Sequence, residues 1–214
     1  MIVSLNEVES LVLKAVWGAG LTWGLAEEAA ASAVWLARAD LLLIGPLLAR
    51  LEAAGTSLPV DVGETIQPAA AGTALCPLLT GAWIADQGSA NRRLDVRDVL
   101  APLWLSAVVA RSLPHECQLI AEWQDARLVL GRSGPLEPAK PRQSSMPAEA
   151  AGAMVLTLRQ CAQSPRALQP RSSGGFMVSD ADWQALQAFE RRTYVPASER
   201  SRLAGAGAGL LDGD

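Results

Sequence analysis

The chain has 214 residues, enough for one sizeable hydrophobic core and too few for two full domains. Its 18 lysines and arginines against 22 aspartates and glutamates give a net charge of −4. This charge argues against a nucleic-acid-binding protein, because such a protein needs a basic face. We therefore expect a single domain, residues 1–214, with no nucleic-acid partner.

The first 55 residues have the pattern of three helices. Ser4 and Glu7 form a capping box, in which the serine hydroxyl accepts from an amide and the glutamate reaches back. The helix that follows has one apolar stripe, which consists of Leu5, Val8, Leu11, Val12, Ala15 and Val16. Thr22 is a cap for a second helix over about 23–38, and Pro46 begins a third that runs to about residue 53. We predict a helical subunit at 1–55.

The middle of the chain mixes strands and helices. LPVDV at 58–62 is typical of a short strand, and helical stretches are predicted over about 76–86 and 97–112. Charges near residue 95, where Asp95 and Asp98 alternate with arginines, indicate an exposed helix start. CQLIAEW and ARLVLG then flank a polar turn at 124–125, the pattern of a β-hairpin, and GAMVLTLRQ at 152–160 is a candidate third strand.

The C-terminal part combines a loop with a last helix. Residues 131–152 contain four prolines and predict a long Pro-rich loop. Ser179 is the cap of the last helix, in which Trp183, Leu186 and Phe189 share a face. The predicted fold class is therefore α+β: a helical N-terminal half, a small antiparallel sheet, and a C-terminal helix with a folded-back tail.

The terminal sequence and the apolar runs predict neither a signal peptide nor a membrane span. Glu7 and Glu9 stand where a signal peptide is basic and then apolar. The run LLLIGPLL at 41–48 is far below the roughly 18 residues that a span requires, and a Gly-Pro pair interrupts it. We expect a cytoplasmic protein with no membrane partner.

A single histidine, His115, limits the catalytic repertoire. It excludes a two-histidine metal site, and any catalytic triad or dyad would have to use it. His115 and Cys117 lie two residues apart near a predicted strand, a spacing of about 6–7 Å that is too long for an activated nucleophile. The three cysteines have no CxxC spacing, and no nucleotide-binding motif follows a predicted strand. We predict no cofactor and no metal site.

Glu27 and Glu28 are adjacent carboxylates on the second predicted helix. They diverge by about 100° and therefore cannot share a proton. One of them, close to Trp23 one turn earlier, could face a pocket; the alternative is a solvated helix face. If the protein is an enzyme, Glu27 is a candidate acid or base.

The C-terminal stretch RRTYVPASERSRLAGAGAG, residues 191–209, concentrates groups that bind anions. Guanidinium and hydroxyl groups donate charge-assisted hydrogen bonds to carboxylates and phosphates, and glycines let the backbone approach a ligand closely. The alternative is a basic helix end followed by a loose tail. The predicted ligand-binding residues are Arg191, Tyr194, Ser198, Ser201 and Arg202, together with Trp23 on the helix that this stretch would meet.

The two ends of the chain also resemble a family. The N-terminal motif SLNEVE…GAGLTWGLAEEAA, the segment LCPLLTGAW at 75–83 and the C-terminal motif RTYVPASERSRLAGAGAG are similar to a bacterial domain-of-unknown-function family. The resemblance implies no activity, cofactor or catalytic residue. It does imply that the C-terminal stretch is a shared, ordered element of the family. Family members tend to end in an Asp-Asn-Asp-like sequence whereas this chain ends in LLDGD, so residues 212–214 are not counted among the site residues.

Two functional hypotheses follow. The first is a non-catalytic accessory or small-anion-binding protein of bacterial cytoplasmic metabolism, either self-associating or a partner subunit of a metabolic enzyme. The poor catalytic repertoire and the seven tryptophans beside one tyrosine favour it. The alternative is a cofactor-free lyase, isomerase or hydrolase acting on a small carboxylate or phosphate, with Tyr194 or Glu27 as the acid or base.

Overall fold

The computed structural model describes residues 1–53, 55–88, 91–124, 126–138, 151–168 and 175–194. Within these ranges six α-helices pack with a nine-stranded mixed sheet around one hydrophobic core, and a separate small antiparallel sheet has two strands. The predicted α+β class is confirmed. In the same ranges no helix has both the length and the hydropathy that crossing a bilayer requires.

The three predicted N-terminal helices are present: α1 (Leu5–Gly18), α2 (Trp23–Arg38) and α3 (Gly45–Glu52). The capping box is also present, because the Glu7 amide donates to Ser4 Oγ at 3.3 Å and the Ser4 amide donates to Glu7 Oε2 at 2.7 Å. Thr22 caps α2 by accepting from the Leu25 amide. These helices could be predicted because their caps and apolar stripes are local signals.

Three further helices follow, α4 (Pro77–Asp86), α5 (Pro102–Ser112) and α6 (Asp180–Glu190). Gly81 in α4 lies against α5 so closely that a Cβ there would be 2.8 Å from Val108 Cβ. Gly18 at the end of α1 lies against α6, where a Cβ would overlap the carbonyl oxygen of Phe189. Close helix contacts at both positions therefore depend on glycine.

The strands form two sheets. In chain order they are β1 (Ile2–Val3), β2 (Thr56–Ser57), β3 (Pro59–Val62), β4 (Thr65–Pro68), β5 (Ala74–Leu75), β6 (Arg92–Val99), β7 (Cys117–Trp123), β8 (Ala126–Gly131), β9 (Gly134–Pro135), β10 (Gly152–Gln160) and β11 (Phe176–Met177). The main sheet has the order β2-β5-β6-β10-β7-β8-β9, with β4 paired to β6 and to β3. Strand β1 pairs with β11 in the small sheet.

The predicted hairpin and third strand are confirmed. Strands β7 and β8 pair antiparallel from Trp123 opposite Ala126 to Gln118 opposite Gly131. Strand β10 pairs with β7 on one side and β6 on the other, both antiparallel. The late strand β10 therefore lies in the middle of the sheet, where it connects the hairpin to the earlier strands.

The predicted start of the helix at residue 97 was wrong, as was the reading of the charges near residue 95 as a helix start. Residues 97–99 belong to strand β6, and α5 begins at Pro102. In β6 the buried Leu94 and Val96 alternate with charged residues, which is the period of a half-buried strand. Ala101, at φ 47°, then turns the chain into α5. The charged residues resemble a helix start, so the alternation of buried and charged residues in β6 was not recognised in the sequence.

Two predicted segments fall wholly or partly outside the described ranges. The folded-back tail would begin after Tyr194, so it lies outside them. The Pro-rich loop at 131–152 is described up to residue 138 and again from residue 151, and it contains the short strand β9.

Candidate functional site

The structure describes part of the predicted C-terminal site. Arg191 and Tyr194 are exposed at a 3₁₀ turn that follows α6. Ser198, Ser201 and Arg202 lie outside the described residues. The site as a whole therefore stays a prediction.

Tyr194 belongs to a cluster with Glu190 and Lys14. A hydrogen bond to Glu190 raises the pKa of Tyr194 above its usual value. Lys14 Nζ lies 3.0 Å from Glu190 Oε1, and this hydrogen bond raises the pKa of Lys14 as well. Both shifts favour the protonated forms of Tyr194 and Lys14.

Trp23 and the two glutamates occupy different parts of α2. Trp23 is 49% exposed and contacts Trp17 edge to face, with ring centroids 5.4 Å apart. Glu27 is exposed, whereas Glu28 Oε2 accepts from Arg111 Nη1 at 2.9 Å. Glu28 therefore links α2 to α5, and Glu27 faces solvent.

The neighbouring His115 and Cys117 lie in different environments. His115 is exposed in the turn before β7, whereas Cys117 is buried, and burial raises the pKa of its thiol. Such a thiol is a poor nucleophile. No cluster of three or more His, Cys, Asp or Glu residues suited to a metal ion exists in the described part of the chain.

A cavity of about 770 Å³ lies where the end of α2 meets the turn between β8 and β9. Its volume is in the range of about 300–1,000 Å³ that small-molecule sites have. Segments distant in sequence form its wall, and the charged side chains among its described residues are Glu9, Arg38, Asp40, Arg111 and Arg132. We call it the arginine cavity.

A helix-ending motif forms one wall of the arginine cavity. Asp40 takes a left-handed conformation with φ 58°, and its amide donates to the Ala37 carbonyl at 3.0 Å. The Leu41 amide then donates to the Leu36 carbonyl at 2.8 Å, which completes a Schellman motif. Arg38 lies in the last helical turn, where the helix dipole favours a cation.

The turn between β8 and β9 forms another part of the wall. The indole Nε1 of Trp35 donates to the Arg132 carbonyl at 2.9 Å. Gly134 turns the chain with φ 146°, a conformation that glycine adopts readily. The Leu168 amide donates to the Pro135 carbonyl at 2.8 Å and brings the Leu168 side chain to the cavity. These hydrogen bonds to backbone carbonyls therefore fix this wall.

Two of the three arginines also connect secondary-structure elements. Arg111 Nη1 donates to Glu28 and, at 3.2 Å, to the buried hydroxyl of Ser32. Arg132 Nη1 donates to the Leu113 carbonyl at 3.2 Å. Because a guanidinium has five N–H groups, these bonds leave further donors for a ligand.

Two arginines of the cavity favour an anion. Among the described residues, three arginines and two carboxylates line it, and one of these arginines, Arg111, is already paired with Glu28 at 2.9 Å. Neither Arg38 nor Arg132 has a carboxylate partner within 4.0 Å among the described residues. Guanidinium groups without such partners are suited to carboxylates and phosphates, which they bind through paired hydrogen bonds.

Sequence reasoning missed the arginine cavity. Its residues come from α1, α2, α5, the β8–β9 turn and the chain near residue 168, and no local motif connects them. Tyr194 and Glu27, the candidate catalytic residues if the protein is an enzyme, are not among the described residues that line it. Their catalytic roles stay predictions.

Comparison with known proteins supports the expected family type for part of the chain. Residues 3–76 match the model of a family described as a protein of unknown function (DUF3726). None of the curated proteins matches the chain. The chain is similar to a solved structure of malate dehydrogenase from Entamoeba histolytica, with 8% identity and a TM-score of 0.39, over 61% of this chain and 43% of that one. A similarity at that score supports neither a fold nor a function for this protein. Residues 3–76, which include the N-terminal motif, are similar to a family of unknown function.

Proposed function

We propose that this chain is a non-catalytic accessory protein of bacterial cytoplasmic metabolism that binds a small carboxylate or phosphate in the arginine cavity. The observation that carries the proposal is the presence of Arg38 and Arg132 at the wall of one cavity, without carboxylate partners among the described residues. An anion that accepts from both guanidiniums would supply the charged partner that neither has among the described residues.

The structure of the cavity wall supports binding without large rearrangement. The Trp35–Arg132 hydrogen bond and the Schellman motif at Asp40 hold the two arginine-bearing segments in place. A site that is formed before the ligand arrives loses less conformational entropy on binding. The ligand would then gain most of the free energy of its hydrogen bonds.

Isothermal titration with phosphate and with succinate at constant ionic strength tests the proposal. Arg38→Ala and Arg132→Ala should each weaken binding about tenfold, the loss expected for one charge-assisted hydrogen bond. Arg159→Ala is the matched control, because Arg159 is exposed on β10 and is not among the described residues that line the cavity. Equal affinities in all three variants, or no binding to the wild type, would contradict the proposal.

A further inference from the structure

The arginine cavity contains apolar surface as well as charge. Leu168 is 43% exposed at its wall, and Val34, Leu41, Pro135 and Pro138 contribute further apolar atoms. A volume of about 770 Å³ is also far larger than a lone phosphate or acetate would fill. Charge alone therefore explains only part of the cavity.

We propose that the ligand is an amphiphilic organic acid: an anionic head that accepts from the arginines, joined to an apolar alkyl or aryl body that contacts Leu168 and the two prolines. This inference rests on the proposed function and names the ligand class for that same cavity. A half-exposed leucine loses contact with water when such a body covers it, and this burial stabilises the complex.

The position of Leu168 is fixed by its backbone. Its amide donates to the carbonyl of Pro135, so the side chain is presented beside the turn that carries Arg132. A ligand that reaches both must therefore carry its charge and its apolar part in one molecule. Because binding sites combine apolar walls with a few fixed polar groups, this pairing is typical of small-molecule recognition.

The inference predicts how affinity depends on the ligand. Acetate, butyrate, hexanoate and 3-phenylpropionate share a carboxylate and differ in the size of the apolar body. In calorimetric titrations at fixed ionic strength, the affinity of the wild-type chain should rise along this series, by up to about fourfold per added methylene. 3-Phenylpropanol, which lacks the charge, should bind at least about tenfold more weakly than 3-phenylpropionate.

Two variants separate the apolar contact from the charge. Leu168→Ser should remove most of the gain from acetate to 3-phenylpropionate while acetate itself binds as before. Leu58→Ser is the matched control, because Leu58 is 65% exposed and does not line the cavity in the described structure. It should leave the whole series unchanged.

The possible outcomes distinguish the two proposals. If all the carboxylates bind with the same affinity and acetate binding still depends on the arginines, the amphiphilic ligand is ruled out and the anion site is retained. Failure of every acid, of phosphate and of succinate overturns both. Equal binding of 3-phenylpropanol and 3-phenylpropionate would show a purely apolar pocket, which also overturns both.

Discussion

The indole Nε1 of Trp35 donates a hydrogen bond of 2.9 Å to the main-chain carbonyl of Arg132. The two residues are 97 positions apart, and the bond connects α2 to the β8–β9 turn. Both segments bring an arginine to the cavity, Arg38 from the last turn of α2 and Arg132 from the turn itself. This hydrogen bond therefore holds the two guanidinium-bearing segments at a defined distance.

Replacing Trp35 by Phe should weaken both the fold and the site. The variant loses a partly buried hydrogen bond and frees the turn that positions Arg132. Trp123→Phe is a matched control, since Trp123 is also buried but its indole nitrogen has no partner among the described residues. In urea denaturation, Trp35→Phe should lower the free energy of unfolding by about 1 kcal/mol more than the control does. Equal losses, with equal affinity for succinate, would show that the bond has no such role.

Glu9→Gln should tighten anion binding. Glu9 lies on the exposed side of α1 and contributes one of the two carboxylates among the described residues of the cavity wall. Removing its charge weakens the repulsion of a bound anion, and for an exposed charge this effect is at most about 1 kcal/mol, or about fivefold in affinity. The gain should shrink in high salt. Calorimetric titration with succinate at two salt concentrations measures this gain in affinity. A weaker affinity in Glu9→Gln than in the wild type would argue against an anion at this wall.

The sequence predicted what depends on local signals. The capping box at Ser4 and the apolar stripe of α1 lie within one helix, so both could be seen in the sequence alone. Strand β6 was misread at its end because the charged residues beside Asp95 resemble a helix start, and only burial of Leu94 shows the strand period. The arginine cavity was missed because Arg38 and Arg132 meet through tertiary packing, for which single-sequence patterns carry no signal.

Glu190→Gln should lower the pKa of Tyr194. The hydrogen bond from Tyr194 to Glu190 raises that pKa, and the folded state therefore favours protonated Tyr194. This hydrogen bond contributes fully to stability at pH values below the pKa of tyrosine in the unfolded chain, about 10. The contribution is lost as the pH rises through the higher pKa of Tyr194 in the folded state. Lys14, whose pKa is also raised by Glu190, acts in the same direction. The variant should thus lose less stability than the wild type at alkaline pH.

A spectrophotometric titration measures the Tyr194 shift directly. The sequence has one tyrosine, so tyrosinate absorbance reports Tyr194 alone. Glu52→Gln, an exposed change on α3, serves as the control and should leave the titration curve in place. A curve that is the same for wild type and Glu190→Gln would mean that Glu190 does not hold Tyr194.

Gly18→Ala should destabilise the protein by about 2 kcal/mol or more. A Cβ at this position would overlap the Phe189 carbonyl and lie 3.2 Å from the Thr193 methyl, which forces α1 and α6 apart. Gly24→Ala is the control, since no atom outside its chain neighbours and its own helix backbone lies within 4 Å of its Cβ position, and alanine favours the helix. Gly18→Ala should therefore lower the midpoint of thermal unfolding, whereas Gly24→Ala should raise it or leave it unchanged. A harmless Gly18→Ala would contradict the close packing of α1 on α6.

The most direct test of the central claim is the indole N–H resonance of Trp35 in ¹⁵N-labelled protein, assigned through Trp35→Phe and followed during titration with succinate. An anion in the arginine cavity should shift this resonance until the site is saturated, because the indole proton of Trp35 is hydrogen-bonded to the Arg132 carbonyl. The indole resonance of Trp123 should stay in place. The shift should disappear in Arg132→Ala. A titration that leaves Trp35 unmoved while Trp23 shifts would contradict the claim and place the anion at the C-terminal site instead.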